Sequence, residues 1–389
     1  MRGQTVMALS VIVAGLGAMG SAAAFHLASR GAKVIGLDKF APPHPFGSSH
    51  GQSRIIREAY FEHPAYVPLV QRAYELWREL EAIADEPLLR ITGGLMVGEP
   101  DSELITGALR SAQLHGLAHE VLSAKEVQRR FPVFRLPDHF VAVYEPRAGV
   151  LSPERCIAAH LTAAQRHGAD LQFWETLTAW QADGEGVTVM TEKERYRADA
   201  LVLSVGAWLP NLMPFLPLQV ERQVMFWFRP KRNGDWFAPD RCPIFIVEFA
   251  PSRFFYGFPD LGEGVKIARH HEGELCTPET VRRMVDETEV EAMRELVRPF
   301  LPDTDGEFLR AEVCLYTNTP DGHFLIDRHP EHPQVLLVSP CSGHGFKFAS
   351  AIGECVADWL LTNSVRHDLS LFHCRWGDGK QRQNQEAQR

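Results

Sequence analysis

The chain has 389 residues, enough for two or three domains and for a buried core that needs no disulfide or metal staple. Apolar residues are 45% and charged residues 23%, which excludes disordered, collagen-like and low-complexity classes. A net charge of −9 and a sequence pI near 6.0 argue against nucleic acid or an anionic membrane as the main partner.

The first predicted element is the apolar, β-branched run Ser10–Ala14, a buried strand. Gly15, Gly17 and Gly20 follow as GLGAMG, and SAAAFHLASR predicts a helix ended by Gly31 as its C′ residue. Lys33–Asp38 reads as a second strand, completing a βαβ start. Residues 42–53, rich in Pro, Gly, Ser and His, form a loop. Residues 63–84 carry Tyr66, Val70, Ala73, Leu76, Trp77 and Leu80 at helical spacing, a long amphipathic helix. Ser152 and Pro153 suit the N-cap and N1 of a helix to about His167. Residues 187–190 and 196–204 flank a charged turn, as in a hairpin leading into a buried strand, and 205–208 begin another strand-to-helix passage. Residues 219–271 predict an antiparallel sheet, 277–300 a helix, and 335–338 a strand followed by Ser342-Gly343-His344-Gly345 and a helix to about Leu361.

The order is βαβ, a β-rich block, then strand-glycine-helix again, with no internal repeat. It implies an α/β fold in which a nucleotide domain is assembled from separated segments (8–90, 146–217 and 321–376). A substrate domain around a mainly antiparallel sheet fills 91–145 and 218–320. The polar tail 377–389 is expected to fray.

Seven cysteines without a Cys-x-x-Cys pair speak against a disulfide framework or a zinc ribbon, and no metal site is expected. The N-terminus does not read as a signal peptide, and no apolar run reaches transmembrane length. The C-terminus has no peroxisomal tripeptide. A cytoplasmic protein is expected.

Gly15 permits a tight turn, Gly17 lets a pyrophosphate approach the backbone, and Gly20 allows close packing of helix on strand. The helix start at Ala18, Met19, Gly20 and Ser21 offers N–H groups and a positive dipole end to phosphates. Asp38, 18 residues beyond Gly20, is placed to accept bonds from an adenosine ribose. The motif indicates a dinucleotide and does not separate FAD from NAD. In Gly47-Ser48-Ser49-His50-Gly51, small residues let the backbone pass close to a planar ligand. Arg54 and Arg57 flank Ile55 and Ile56; they suit a flavin and a substrate carboxylate, or equally a solvated surface loop. Ser342-Gly343-His344-Gly345-Phe346-Lys347 reads as a second backbone cradle, and Lys347, one of only eight lysines against 32 arginines, is either a ligand group or a snorkelling surface lysine. Lys39, Leu177, Gly206 and Trp208 complete the expected cofactor contacts.

SSHGQSRIIR, CLYTNTPD, FLIDRHP and SGHGFKF resemble the sarcosine oxidase family, which includes monomeric sarcosine oxidases, N-methyltryptophan oxidases and L-pipecolate oxidases. The wording is most similar to the sarcosine/pipecolate branch, and matching stretches run from about Val11 to Phe372. The resemblance implies FAD joined covalently to Cys314, with Arg57 and Lys347 on the substrate carboxylate. It further implies Lys266 as an aid to oxygen reduction, His270, Tyr256 and Tyr316 on the substrate side, and His50 and Arg54 beside the flavin. From the residues alone, Cys314 also fits a buried structural cysteine, Tyr256 and Tyr316 core tyrosines, and Lys266 a lysine pointing to solvent opposite Val265 and Ile267. Ile246 stands where bacterial sarcosine oxidases have Met, and Arg269 where Tyr is common; both bear on the choice of substrate. The implied reaction is oxidation of a secondary α-amino acid, most simply sarcosine to glycine and formaldehyde with O₂ reduced to peroxide, by a monomer. L-Pipecolate, L-proline or N-methyl-L-tryptophan are the alternative substrates. A dehydrogenase using another acceptor, an NAD-dependent dehydrogenase and a non-catalytic FAD-binding protein are the alternative classes.

Overall fold

The computed structural model describes residues 8–374, so the tail at 377–389 lies outside the described residues. The chain divides into two compact units. The first comprises the chain up to Ser49, Glu154–Val220 and the stretch from Tyr316 onward; the second comprises His50–Pro153 and Glu221–Leu315.

The first unit is built on a six-stranded sheet. Its order is Leu325–Arg328, Val335–Ser339, Ala200–Leu203, Ser10–Ala14, Lys33–Asp38 and Asp170–Phe173. All pairs are parallel except the edge strand Leu325–Arg328. The strands predicted at Ser10–Ala14 and Lys33–Asp38 occur with those bounds. Their continuous apolar character suits a parallel sheet covered on both faces. The helix Ala18–Ser29 packs on Ala349–Thr362 so closely that a Cβ at Gly353 would lie 2.5 Å from the Ala22 backbone. The single run predicted at 196–204 is two strands, Arg195–Ala198 in a separate antiparallel sheet and Ala200–Leu203 in the parallel one. Asp199 forms the break, its carboxylate accepting from the Ser10 N–H and hydroxyl at 2.7 Å each.

The second unit carries a nine-stranded, mainly antiparallel sheet. Gln219–Phe228, Val265–His270, Arg253–Gly257 and Ile244–Ala250 follow one another across it. A parallel pairing of Ile244–Ala250 with Gly94–Gly98 continues it. Its core is rich in phenylalanine, including Phe226, Phe228, Phe245 and Phe255. A small sheet, Arg54–Ile56, Gly149–Leu151 and Leu89–Ile91, belongs to the same unit. These pairings place residues 50–90 and 146–153 in the second unit, where the sequence suggests the nucleotide domain.

Two helices begin later than their periodicity predicts. The turn Pro64–Tyr66 precedes the helix Val67–Ala84. The helix expected over 277–300 spans only Glu287–Val297. Asp286 and Glu289 close a capping box there, while Thr277 and Thr280 exchange side-chain-to-backbone bonds that hold a local turn instead. Among the described residues no helix is long and apolar enough to cross a membrane.

Candidate active site

In the first unit the glycine loop has the conformation its sequence requires. Gly15 has φ +84°, and a Cβ on Gly20 would sit 1.7 Å from the Gly15 carbonyl oxygen, so neither position admits a side chain without movement. A Cβ on Gly17 would meet only Ser49 Oγ, at 3.9 Å, which leaves its backbone open to a ligand. The helix begins immediately after Gly17 with no side-chain cap, so its first N–H groups face the loop. Ser204, which sequence reasoning missed, clamps the turn through bonds from Oγ to the carbonyls of Ala14 (3.0 Å) and Gly15 (2.8 Å). Asp38 is buried, and its two oxygens accept from Leu16 N–H (2.7 Å) and Phe40 N–H (2.8 Å), which fixes the carboxylate at the end of its strand. Trp208 packs against Phe40 at 5.7 Å, with Lys39 Nζ 5.6 Å from its ring. Trp208 Nε1 is buried without a hydrogen-bond partner among the described residues, as is Thr317 Oγ1 on the same unit. Buried donors of this kind seek an acceptor. An open glycine backbone, an anchored acid and unpaired buried polar atoms fit a dinucleotide such as FAD. Gly47 approaches His44 and Trp208, Gly206 is left-handed at φ +55°, and Leu177 opens the small antiparallel sheet.

The second cradle lies on the same unit. Ser342 and Gly343 have positive φ, and a Cβ on Gly345 would lie 1.5 Å from the Pro340 carbonyl oxygen. Ser342 Oγ donates to the His323 carbonyl (3.0 Å), and His344 Nε2 donates to the Gly322 carbonyl (3.0 Å). Phe346 and Lys347 follow in a 3₁₀ turn, where Lys347 is buried with Nζ donating to the His344 carbonyl at 2.8 Å. It is therefore no snorkelling surface lysine. Tyr316 is also buried on this unit, on the strand Phe308–Asn318.

In the second unit a run of ring contacts links two buried cations. The Arg57 guanidinium lies 4.2 Å from the Tyr60 ring and 4.8 Å from Phe61. Phe61 meets Phe254 at 5.4 Å, Phe254 meets His270 at 6.3 Å, and His270 stands nearly perpendicular to Tyr256 at 6.2 Å. Tyr256 meets Phe258 at 6.0 Å, and Lys266 Nζ lies 4.7 Å from the Phe258 ring. Arg57 and Lys266 are each 2% exposed, so neither is the solvated group that composition alone allows. Lys266 Nζ donates to the carbonyls of Gly51 (2.8 Å) and Ser53 (2.9 Å) and to Ser53 Oγ (3.1 Å). Three acceptors match the three hydrogens of an ammonium, so its charge is fixed in place.

The Arg57 fork is engaged by Glu62, whose two oxygens accept from Nη2 at 2.7 Å each, while Nη1 donates to the Ala59 carbonyl at 3.0 Å. Burial lowers the Arg57 pKa, but Glu62 and then Tyr60 more than restore it, so the group stays charged. Its Nε is buried with no hydrogen-bond partner among the described residues. Arg54 is half-buried and donates to the Ser53 carbonyl at 2.9 Å; Ile55 packs against the cluster of Ala148, Val150, Ile244 and Phe258. His50 Nδ1 is 3.2 Å from Glu312 Oε2. Cys314 is 2% exposed on the strand Phe308–Asn318. The neighbouring Val313 carbonyl accepts from Arg283 at 3.0 Å; burial lowers the Arg283 pKa, and the nearby Cys314 acts against that shift. Ile246 and Tyr256 are cross-strand partners.

Sequence reasoning missed Gly51, Ser53 and Glu62 as partners of the two cations, and it missed Glu145. This acid is 1% exposed at the end of the strand Val141–Glu145. An acid closing the apolar run VAVYE was the available signal.

Residues 10–359 match the FAD dependent oxidoreductase family model. The chain is 49% identical to a monomeric sarcosine oxidase of Streptomyces avermitilis, over 94% of this chain and 97% of that protein. It is 36% identical to an N-methyl-L-tryptophan oxidase of Yersinia pestis, over 94% and 98%. Among solved structures it superposes on NikD, an unusual amino acid oxidase essential for nikkomycin biosynthesis, with a TM-score of 0.81 at 25% identity, covering 94% of this chain and 97% of that one. An L-proline dehydrogenase from P. horikoshii shares the fold at 20% identity with a TM-score of 0.81, over 94% and 96%. The chain is thus a flavoenzyme of the FAD dependent oxidoreductase family, among the amino acid oxidases of the sarcosine oxidase and N-methyltryptophan oxidase type.

Proposed function

We propose that this enzyme oxidises a small secondary α-amino acid, sarcosine before others, at its C–N bond, with O₂ reduced to H₂O₂. The observation that carries this reading is the aromatic run joining buried Arg57 to buried Lys266 through His270 and Tyr256. The 49% identity to a monomeric sarcosine oxidase supports the choice of substrate. FAD, when bound, supplies the two-electron acceptor for the amine and the donor to oxygen. The protein supplies binding, orientation and charge.

Arg57 takes the substrate carboxylate. Its unpartnered Nε and the carboxylate-binding geometry already used by Glu62 suit it to that role. A substrate must compete with Glu62 for the fork. For Lys347, buried in the SGHGFKF segment, the family resemblance supports a role toward the substrate carboxylate. Cationic neighbours and exclusion of water lower the pKa of the bound amine, so that it reacts neutral without a strong general base. Tyr256 and His270 form the wall beside it. Lys266 holds a fixed positive charge that stabilises negative charge developing on oxygen, in a site where water cannot do so. Cys314 carries the flavin covalently, the Arg283 charge favouring the thiolate that attachment needs. The nucleotide half of FAD lies on the glycine loop, Asp38 and the cradle at 342–347. The enzyme acts as a monomer.

Peroxide release from sarcosine, L-pipecolate, L-proline and N-methyl-L-tryptophan tests the substrate. Sarcosine should give the highest kcat/KM; a higher value for a bulkier amino acid reassigns the substrate, and turnover with an electron carrier but without peroxide makes the enzyme a dehydrogenase. Acid-precipitated protein should keep its flavin, and Cys314→Ala should release it. Free release from the wild type removes the covalent link.

A further inference from the structure

The reaction assigned above does not use Glu145, yet it is among the most buried acids of the chain. It ends the strand Val141–Glu145, opposite Gly94 on the neighbouring strand. One carboxylate oxygen accepts from the Glu58 N–H at 2.7 Å, and the other from the Ala59 N–H at 2.8 Å. These two amides directly follow Arg57, and the Ala59 carbonyl in turn accepts from Arg57 Nη1. A single carboxylate therefore ties the end of a strand of the large sheet to the turn that follows the strand Arg54–Ile56 of the small one.

We propose that Glu145 is a positioning residue for Arg57: by bridging the Glu58 and Ala59 amides it holds the turn that presents the guanidinium to the substrate carboxylate. The proposal rests on the reading of Arg57 as the carboxylate-binding group.

Two N–H donors need two acceptor oxygens, and only the ionised carboxylate offers two without a competing O–H. Burial pushes the Glu145 carboxyl up to about 7, against the opposing pull of the Ala59 and Glu58 amides. Its charge is lost as pH falls through that value. The groups that act on it are Glu58 and Arg57 from the turn and Tyr74 from the helix Val67–Ala84. Arg147, two residues on, pairs with Glu58 at 3.3 Å. Glu145 acts on the Arg57 charge less than Glu62 and Tyr60 do, so its influence runs through the backbone rather than through direct attraction.

The test uses the holoenzyme and acetate, a carboxylate that stays ionised from pH 6 to 8, with binding read from the flavin absorbance. If only the ionised form of Glu145 holds the turn, acetate should bind up to about tenfold more weakly at pH 6 than at pH 8, because the competent fraction falls in that ratio. Glu145→Gln should bind weakly and with no pH step, with flavin content retained. Arg57→Met should abolish binding in either case. Wild-type affinity and profile in Glu145→Gln, with binding lost in Arg57→Met, overturns the role of Glu145 alone. Unchanged binding in Arg57→Met overturns the reading of Arg57 itself. If Glu145→Gln does not fold, Glu145→Asp replaces it: the midpoint of the pH step should move, and a step left in place overturns the proposal.

Discussion

The two units prepare for a ligand by opposite means. The first uses backbone: a left-handed Gly15, a Gly20 with no room for a methyl group, an open Gly17 and a strained turn at 342–345. The second uses buried charge: Arg57, Lys266 and Glu145 are each held by polar groups supplied from elsewhere in that unit. A backbone cradle works because side chains are absent, so its failure mode is steric. A buried charge works because polar partners hold it in place, so its failure mode is electrostatic. Variants in the two units should therefore fail in different observables.

The largest effect is expected for Gly20→Ala. The added methyl would meet the Gly15 carbonyl oxygen at 1.7 Å, with Ser204 Oγ at 2.6 Å behind it, and backbone cannot yield as a flexible side chain does. Overpacking costs about 1–3 kcal/mol and occasionally more, and here it also closes the turn. The purified variant should lack flavin and show a lowered urea midpoint. Normal flavin content would break the contrast, because the cradle would then tolerate a side chain.

Lys266→Met comes next. It removes the fixed charge and leaves the Gly51 and Ser53 carbonyls without their donor. Re-oxidation should slow by on the order of a hundredfold or more, the scale of losing one preorganised charge-stabilising group. Anaerobic reduction should slow much less. Stopped-flow traces with normal re-oxidation and crippled reduction would assign Lys266 to the amine or to the fold.

Lys347→Met sharpens the comparison, since Lys347 is a buried charge in the unit otherwise built from backbone. Losing one partner of a desolvated carboxylate costs roughly 2–5 kcal/mol, so KM for sarcosine should rise at least about thirtyfold while flavin content holds. An unchanged KM removes Lys347 from substrate binding.

The smallest effect concerns a buried titratable group of the first unit that the proposed reaction does not use. His160 is 1% exposed, and burial, with His26 next, drives its pKa well below the ordinary value. It is neutral in the fold and charges on unfolding. Its contribution is complete above the unfolded pKa of about 6.5 and is lost as pH falls below it, by at most about 1.4 kcal/mol per pH unit. His160→Phe should flatten the urea stability profile below pH 6.5 and leave KM unaltered.

The same contrast explains what was legible beforehand. The strands Ser10–Ala14 and Lys33–Asp38 and the glycines between them are encoded locally, by apolar runs and missing side chains, and the sequence places them to the residue. The helix Glu287–Val297 was overextended because its start depends on a capping box rather than on periodicity. The Arg57 and Lys266 environments were not readable from composition. Their partners are remote in sequence, such as Gly51 and Ser53 more than two hundred residues from Lys266. Family motifs pointed to these residues, but no local signal distinguished them from solvated side chains. Glu145 carried only a faint signal, an acid at the end of an apolar strand.

One anaerobic titration decides whether the enzyme carries out the proposed oxidation of a secondary amino acid with FAD and O₂. The purified enzyme is mixed with sarcosine without oxygen, its visible flavin spectrum is followed, and air is then admitted with peroxide measured in the same cuvette. Sarcosine should bleach the flavin, and air should then restore the full spectrum with stoichiometric H₂O₂. A flavin spectrum unchanged by sarcosine and by L-pipecolate, or a spectrum that recovers without peroxide, would contradict the proposed oxidation.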